Sequence, residues 1–193
     1  MNICVFGASS NRLDREFYDK AYELGKALAL GGHSLIFGGG ASGLMGACAG
    51  GAREAGGSIV GIAPRFFDEP GILLKDYGEL IFTETMSERK AMMEDRAEAF
   101  IALPGGIGTY EEFFEVLTLK QLGRHSKPMA LLNAAGYFDP LMLMLEKTAD
   151  GGFMSRDCLS LFALCDSPEQ AVNHCVSGKE EPVSIRHLEE YCR

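Results

Sequence analysis

The chain has 193 residues, enough for one domain with a sizeable core, and 47% hydrophobic against 23% charged residues excludes disorder for its bulk. Eighteen Lys and Arg against 27 Asp and Glu give a formal net charge of −9, which argues against a nucleic-acid backbone as partner, since that partner needs a basic surface. No apolar run of about 18 residues is present, so no membrane span is expected, and the opening Met1-Asn2-Ile3-Cys4-Val5 lacks the basic start of a signal peptide.

In chain order, short apolar runs alternate with longer amphipathic ones. Residues 2–7 read as a strand, and 14–31 as a helix with Phe17, Ala21, Leu24 and Leu28 on one face. A strand at 33–38 runs into the glycine-rich loop 38–43, and a helix over about 44–55 stops at Gly56-Gly57. Strands at 58–63 and 79–83 flank a looser stretch that holds Pro64 and Pro70. A helix at about 86–97, a strand at 99–103, the loop 104–109, a helix at about 110–122, a strand at 128–132 and a helix at about 138–149 follow. Residues 160–165 are read as a last strand, and Ser167-Pro168-Glu169-Gln170 as the capped start of a final helix. Strands separated by helices need crossover connections. The pattern therefore predicts an α/β fold, a single Rossmann-like, doubly wound, mostly parallel sheet over residues 1–178, followed by a charged tail at 179–193. Ligands of such sheets bind at the carboxyl ends of the strands.

Three elements fall at that edge. Gly38-Gly39-Gly40-Ala41-Ser42-Gly43 satisfies G-x-G-x-x-G between a strand and a helix, the dinucleotide context. The acid expected after the next strand is missing, because that strand ends in Gly61-Ile62-Ala63-Pro64. The loop then reads either as a tight turn with close helix–strand packing or as a backbone cradle near a phosphate or ribose. The second loop, Pro104-Gly105-Gly106-Ile107-Gly108-Thr109, opens a helix that begins with Tyr110-Glu111-Glu112. Its glycines and helix end suit an anion. The glutamates read either as a capping box from Thr109 to Glu112 or as catalytic carboxylates. The third element is Arg89-Lys90 in the first turns of a helix, where two cations oppose the helix dipole. Glu88, Glu94, solvent or a phosphate-bearing substrate would compensate them. Six cysteines (4, 48, 158, 165, 175 and 192) form no Cys-x-x-Cys pair, so buried reduced thiols and a cytoplasmic location are expected. His33, His125, His174 and His187 show no ligand spacing, and no metal is expected.

Arg89-Lys90, the run Phe100 to Glu112 with its P-G-G-x-G-T-x-x-E pattern, Gly38 to Gly46, Gln121-Leu122-Gly123, Lys127-Pro128 and Gly136-Tyr137-Phe138 together resemble the Lonely Guy (LOG) family, over residues 1 to about 155. The resemblance implies a cytokinin riboside 5′-monophosphate phosphoribohydrolase. Such an enzyme hydrolyses the N-glycosidic bond of an adenosine 5′-monophosphate, often N6-modified, to free base and ribose 5-phosphate, without a cofactor. It implies Glu112 and Arg89 as catalytic residues. It also implies substrate contacts from Glu79, Lys90, Gly105, Gly106, Gly108, Thr109, Glu111, Thr118, Gly39 and Gly40, and a homodimer or larger homo-oligomer. Members have been labelled lysine decarboxylases, but no pyridoxal site is legible in this chain. Ile107, Tyr110 and Leu119 depart from residues common in the family. A non-catalytic nucleotide or molybdenum-cofactor carrier on the same fold is the alternative.

Overall fold

A computed structural model describes residues 1–178. Strands and helices alternate as β1 (Asn2–Phe6), α1 (Arg15–Leu30), β2 (Ser34–Phe37), α2 (Gly43–Glu54), β3 (Ile59–Pro64), β4 (Glu79–Thr83), α3 (Met86–Arg96), β5 (Ala99–Ala102), α4 (Ile107–Gln121), β6 (Met129–Leu132), α5 (Asp139–Asp150), β7 (Ala163–Cys165) and α6 (Pro168–Ser177). The tail read at 179–193, with His187 and Cys192, lies outside the described residues.

The strands form one sheet in the order β4-β3-β2-β1-β5-β6-β7. Every pair in it is parallel. The chain winds outward from β1 to β4 and then returns to place β5 against β1, so the order reverses between these two strands. Crevices form at such a reversal. Strand residues alternate between two cores, as a sheet covered on both faces requires. Ile3, Val5, Leu35 and Ile101 meet α1, α2 and α6 through residues such as Leu24, Leu44 and Val172. Cys4, Phe6, Ile36 and Phe100 meet α3, α4 and α5 through Met93, Phe113 and Leu145. Cys4, Cys48, Cys158, Cys165 and Cys175 are free and buried. Among the described residues, no helix is long and apolar enough to cross a membrane.

Two elements differ from the sequence reading. The last strand is shorter than 160–165, because Arg156–Ser160 winds into a 3-10 turn that Ser155 caps by accepting from the Asp157 N–H at 3.1 Å. Helix α4 starts at Ile107 rather than Tyr110, with Gly106 as its N-cap. The start of α6 is as read, since the Ser167 hydroxyl accepts from the Gln170 N–H at 3.2 Å.

Between β3 and β4 the crossover carries only a 3-10 turn, Arg65–Phe67, in place of a helix. This segment folds over the carboxyl edge of the sheet. It is fastened to the first glycine-rich loop like an added strand. The Ala41 N–H donates to the Ile72 carbonyl at 2.8 Å and the Leu74 N–H to the Gly39 carbonyl at 2.9 Å.

Candidate active site

A cleft of about 620 Å³ opens at the carboxyl edge, over the β1/β5 reversal. Arg89, Glu111, Glu112 and Thr109 line one side of it, and Phe66, Phe67, Ile72, Leu73 and Met86 supply an apolar wall. The apolar wall comes from the 65–73 crossover, which no motif in the sequence singles out.

Helix α3 begins at a Thr85 cap, with Glu88 reaching back to the residue before it. The Thr85 hydroxyl accepts from the Glu88 N–H at 3.1 Å, and the Glu88 carboxylate accepts from the Glu84 N–H at 2.9 Å. With Glu88 thus occupied, the cations that follow are met from another helix. Arg89 Nη1 donates to Glu112 Oε1 at 2.8 Å, and Arg89 Nε donates to the Ile62 carbonyl at 3.2 Å. Lys90 Nζ lies 2.5 Å from Glu111 Oε1 and 2.9 Å from Glu115 Oε2. Neither Glu94 nor solvent alone compensates the pair; the acidic face of α4 does. Glu115 is a residue that sequence reasoning passed over, although it lies one turn beyond Glu111.

The Arg89–Glu112 pair is deeply set, with side chains only 10% and 14% exposed. Burial pushes the Glu112 carboxyl above its ordinary value of 4.5, and the guanidinium of Arg89 pulls it partly back. Glu112 is therefore a carboxylate held ready to take a proton. Gly38 makes room for this arrangement, because a Cβ there would fall on Arg89 Nη2. Lys90 is held firmly charged by its hydrogen bonds to Glu111 and Glu115.

The two helix starts at the cleft differ in what they offer. At α2, the Gly43 N–H donates to Asn11 Oδ1 at 2.9 Å and the Leu44 N–H to the Ala8 carbonyl at 2.8 Å. A Cβ on Gly43, whose φ is +62°, would strike the backbone at Ala8 and Ser9. Gly43 is thus required for close packing, whereas Gly40 of the same loop faces open space. At α4, the N–H groups of Gly106, Ile107, Gly108 and Thr109 have no acceptor among the described residues, as expected of the first amides of a helix. A helix start with its donors free is able to hold an anion. Thr109 does not cap the helix; it sits at the third helical position, folded back over Gly105.

Of the other residues expected at the site, Gly40, Gly106 and Gly108 line the cleft. Gly105 is buried just behind them, and Gly39 is buried under the crossover, 3.1 Å from Leu80 if given a Cβ. Glu79 is not brought to the site. It opens β4, opposite Val60 at the start of β3, so the length of the strand, roughly 13 Å, separates it from the carboxyl edge. Thr118 is not brought there either. It is exposed on α4, about 9 Å along the axis from Glu112.

A family model described as "Possible lysine decarboxylase" matches residues 45–175. A cytokinin riboside 5′-monophosphate phosphoribohydrolase of Arabidopsis thaliana is 38% identical over 189 residues, which cover 98% of this chain and 83% of that protein. One of Mycobacterium marinum is 40% identical over 163 residues, covering 84% and 87% of the two chains. The molybdenum cofactor carrier protein of Chlamydomonas reinhardtii shares the fold, with a TM-score of 0.68 over 92% of this chain and 98% of its own, at 24% identity. The chain therefore belongs to the cytokinin riboside 5′-monophosphate phosphoribohydrolase family, the one whose family model is described as a possible lysine decarboxylase.

Proposed function

We propose that this protein hydrolyses the N-glycosidic bond of an adenosine 5′-monophosphate, plain or N6-modified, to the free base and ribose 5-phosphate. The observation that carries the reading is the buried Arg89–Glu112 pair one helical turn below the free amides of α4. The amides of Gly106, Gly108 and Thr109 hold the 5′-phosphate. A carboxylate about a turn further, roughly 5 Å along the helix, then lies at the depth of the ribose ring. The base extends onto Phe66, Phe67, Ile72 and Met86, an apolar wall suited to a purine and to an alkyl group on its N6.

Cleavage passes through an oxocarbenium-like ribosyl centre, positive at C1′. The Glu112 carboxylate stabilises that charge and accepts a proton from the attacking water. The water oxygen bonds to C1′, the bonding pair of C1′–N leaves with the base, and the base takes up a proton at that nitrogen. Arg89 fixes Glu112 and keeps a cation beside the reacting ribose. Glu111 lines the cleft while tied to Lys90, and so grips the ribose hydroxyls from the rim. Lysine decarboxylation through a pyridoxal Schiff base would need a lysine in the cleft. None of the described residues lining it is a lysine.

Residues 1–178 act as one domain in this reading, and the protein works in the cytoplasm as a homodimer or larger homo-oligomer. Support for the location is the set of free buried thiols. Support for assembly is the apolar rim of the cleft, where Ile107 is 89% and Phe66 58% exposed. The deciding experiment is incubation with AMP, isopentenyl-AMP and adenosine, followed by chromatography for free base. Release from the monophosphates and not from adenosine is expected. Nucleotide binding without release would overturn hydrolysis and favour a carrier.

A further inference from the structure

Gly136-Tyr137-Phe138 follows β6 and has no part in the chemistry above. Its surroundings are nonetheless tightly determined. Asn133 Oδ1 accepts from the Phe138 N–H at 2.8 Å while Asn133 Nδ2 donates to Asp139 Oδ1 at 2.8 Å. Within that clasp, Ala135 (φ 51°) is the one described non-glycine residue in the left-handed region, and Gly136 (φ 70°) follows it. A strained alanine held this way fixes the direction in which the corner projects the next side chain. What it delivers is Tyr137. The ring sits edge-on to Phe17 and to Phe138, with centroids 6.2 and 5.1 Å away. Its hydroxyl donates to the Gly105 carbonyl at 2.6 Å. The pKa of the Tyr110 hydroxyl, on the first turn of α4, is pushed up to about 12 by burial and by the neighbouring Tyr137 side chain.

We propose that Tyr137 is a positioning residue for the phosphate site, locking the Gly105–Gly106 peptide so that the Gly106 N–H faces the 5′-phosphate. The inference rests on the nucleotide reading above and adds a residue to it. A trans peptide is planar, so its carbonyl and its N–H point in opposite directions. Holding the Gly105 carbonyl therefore aims the Gly106 N–H. Gly106 lines the cleft, whereas Gly105 is buried on the Tyr137 side. The lock is needed because the peptide lies between two glycines, where rotation meets no Cβ. On the preceding residue, the Pro104 carbonyl is already fixed by the Ala8 N–H at 3.0 Å, so the Gly105–Gly106 unit is the first one free to turn.

The test is Tyr137→Phe in the full chain, which removes the hydroxyl and keeps the ring. Binding of ribose 5-phosphate and of adenine is measured separately by calorimetry, alongside kcat and KM for AMP and a thermal melt. Loss of one buried hydrogen bond and of one preorganised donor predicts ribose 5-phosphate affinity about tenfold weaker and a matching rise in KM. Adenine affinity stays unchanged, and the melting temperature falls by a few degrees at most, the cost of one unsatisfied carbonyl. Tyr110→Phe, which leaves the Tyr137–Gly105 bond in place, changes ribose 5-phosphate affinity less than about twofold. Ribose 5-phosphate binding that is absent from the unsubstituted protein, equal in the Tyr137→Phe variant, or lost together with adenine binding overturns the assignment. If the unsubstituted protein binds ribose 5-phosphate but releases no base from AMP, the hydrolase reading fails while the comparison still decides the role of Tyr137.

Discussion

An alanine at position 38 should disable the site from behind. Gly38 has no positive φ, so the backbone itself accepts alanine. The difficulty is the added Cβ, which falls on Arg89 Nη2 and 3.3 Å from Cζ. A loose arginine end would swing aside at little cost. This one is held at Nε by the Ile62 carbonyl at 3.2 Å and at Nη1 by Glu112 at 2.8 Å, in a residue only 8% exposed. Making room breaks at least one of these bonds. Hydrogen bonds to charged groups contribute about 1.5–3 kcal/mol, so kcat/KM for base release is expected to fall about 10- to 100-fold. A second readout checks the cause. Arg89 holds the Glu112 carboxyl down against the effect of burial. Displacing it moves the acid limb of the kcat/KM profile to higher pH. The assay is base release from AMP between pH 4 and 9, with circular dichroism to confirm folding. A folded Gly38→Ala protein with kcat/KM within about twofold of the unsubstituted chain and an unmoved acid limb would refute the reasoning.

Further outcomes follow from the same geometry. Glu112→Gln lowers kcat for base release by about 10²–10⁴ while AMP affinity, measured by calorimetry, changes by less than about fivefold. In the unsubstituted enzyme the acid limb lies above the ordinary carboxyl value of 4.5, since burial raises the Glu112 pKa and the reaction needs the carboxylate. Stability runs the other way. The folded state binds this proton more tightly than the unfolded chain, so the contribution of Glu112 is full below the unfolded pKa and fades as pH rises through the folded one, which urea titrations across that window test. Lys90→Met leaves Glu111 and Glu115 facing each other and costs about 1 kcal/mol in urea unfolding; adding Glu115→Gln recovers part of it. Thr85→Ala removes the cap of α3 and lowers stability by about 1 kcal/mol, with a smaller effect on kcat than on the melting temperature.

The alternation of strands and helices was legible because the inner strands are apolar on both faces and most helices on one, patterns that sequence spacing records directly. The boundaries at 107 and 160 were not, since they depend on which residue caps. Thr109 looks like a cap in the sequence, but Gly106 takes that place and leaves Thr109 inside the helix. Of the site, the glycine loop and the Arg-Lys and Glu-Glu pairs were legible as motifs. Their pairing was not, because Arg89 and Glu112 are 23 residues apart and meet only when α3 and α4 pack side by side. Glu79 marks the converse case. A motif match gives its place in the chain, whereas strand direction decides which end of the sheet it reaches. The apolar wall from Phe66 to Leu73 had no signal at all, since a crossover without a helix has no periodicity to read.

The occupied start of α2 has a consequence for the length of the anion this edge can hold. Two glycine-rich helix starts converge there, an arrangement that elsewhere could grip two phosphates in a row. Here Asn11 and the Ala8 carbonyl have already claimed the Gly43 and Leu44 amides, and only α4 retains its set. A second phosphate attached to the first would find those two donors spent. At the start of α2 a second phosphate would thus meet a shorter row of open amides than the first would meet at α4, so the two helix starts are unequal partners for a chain of phosphates.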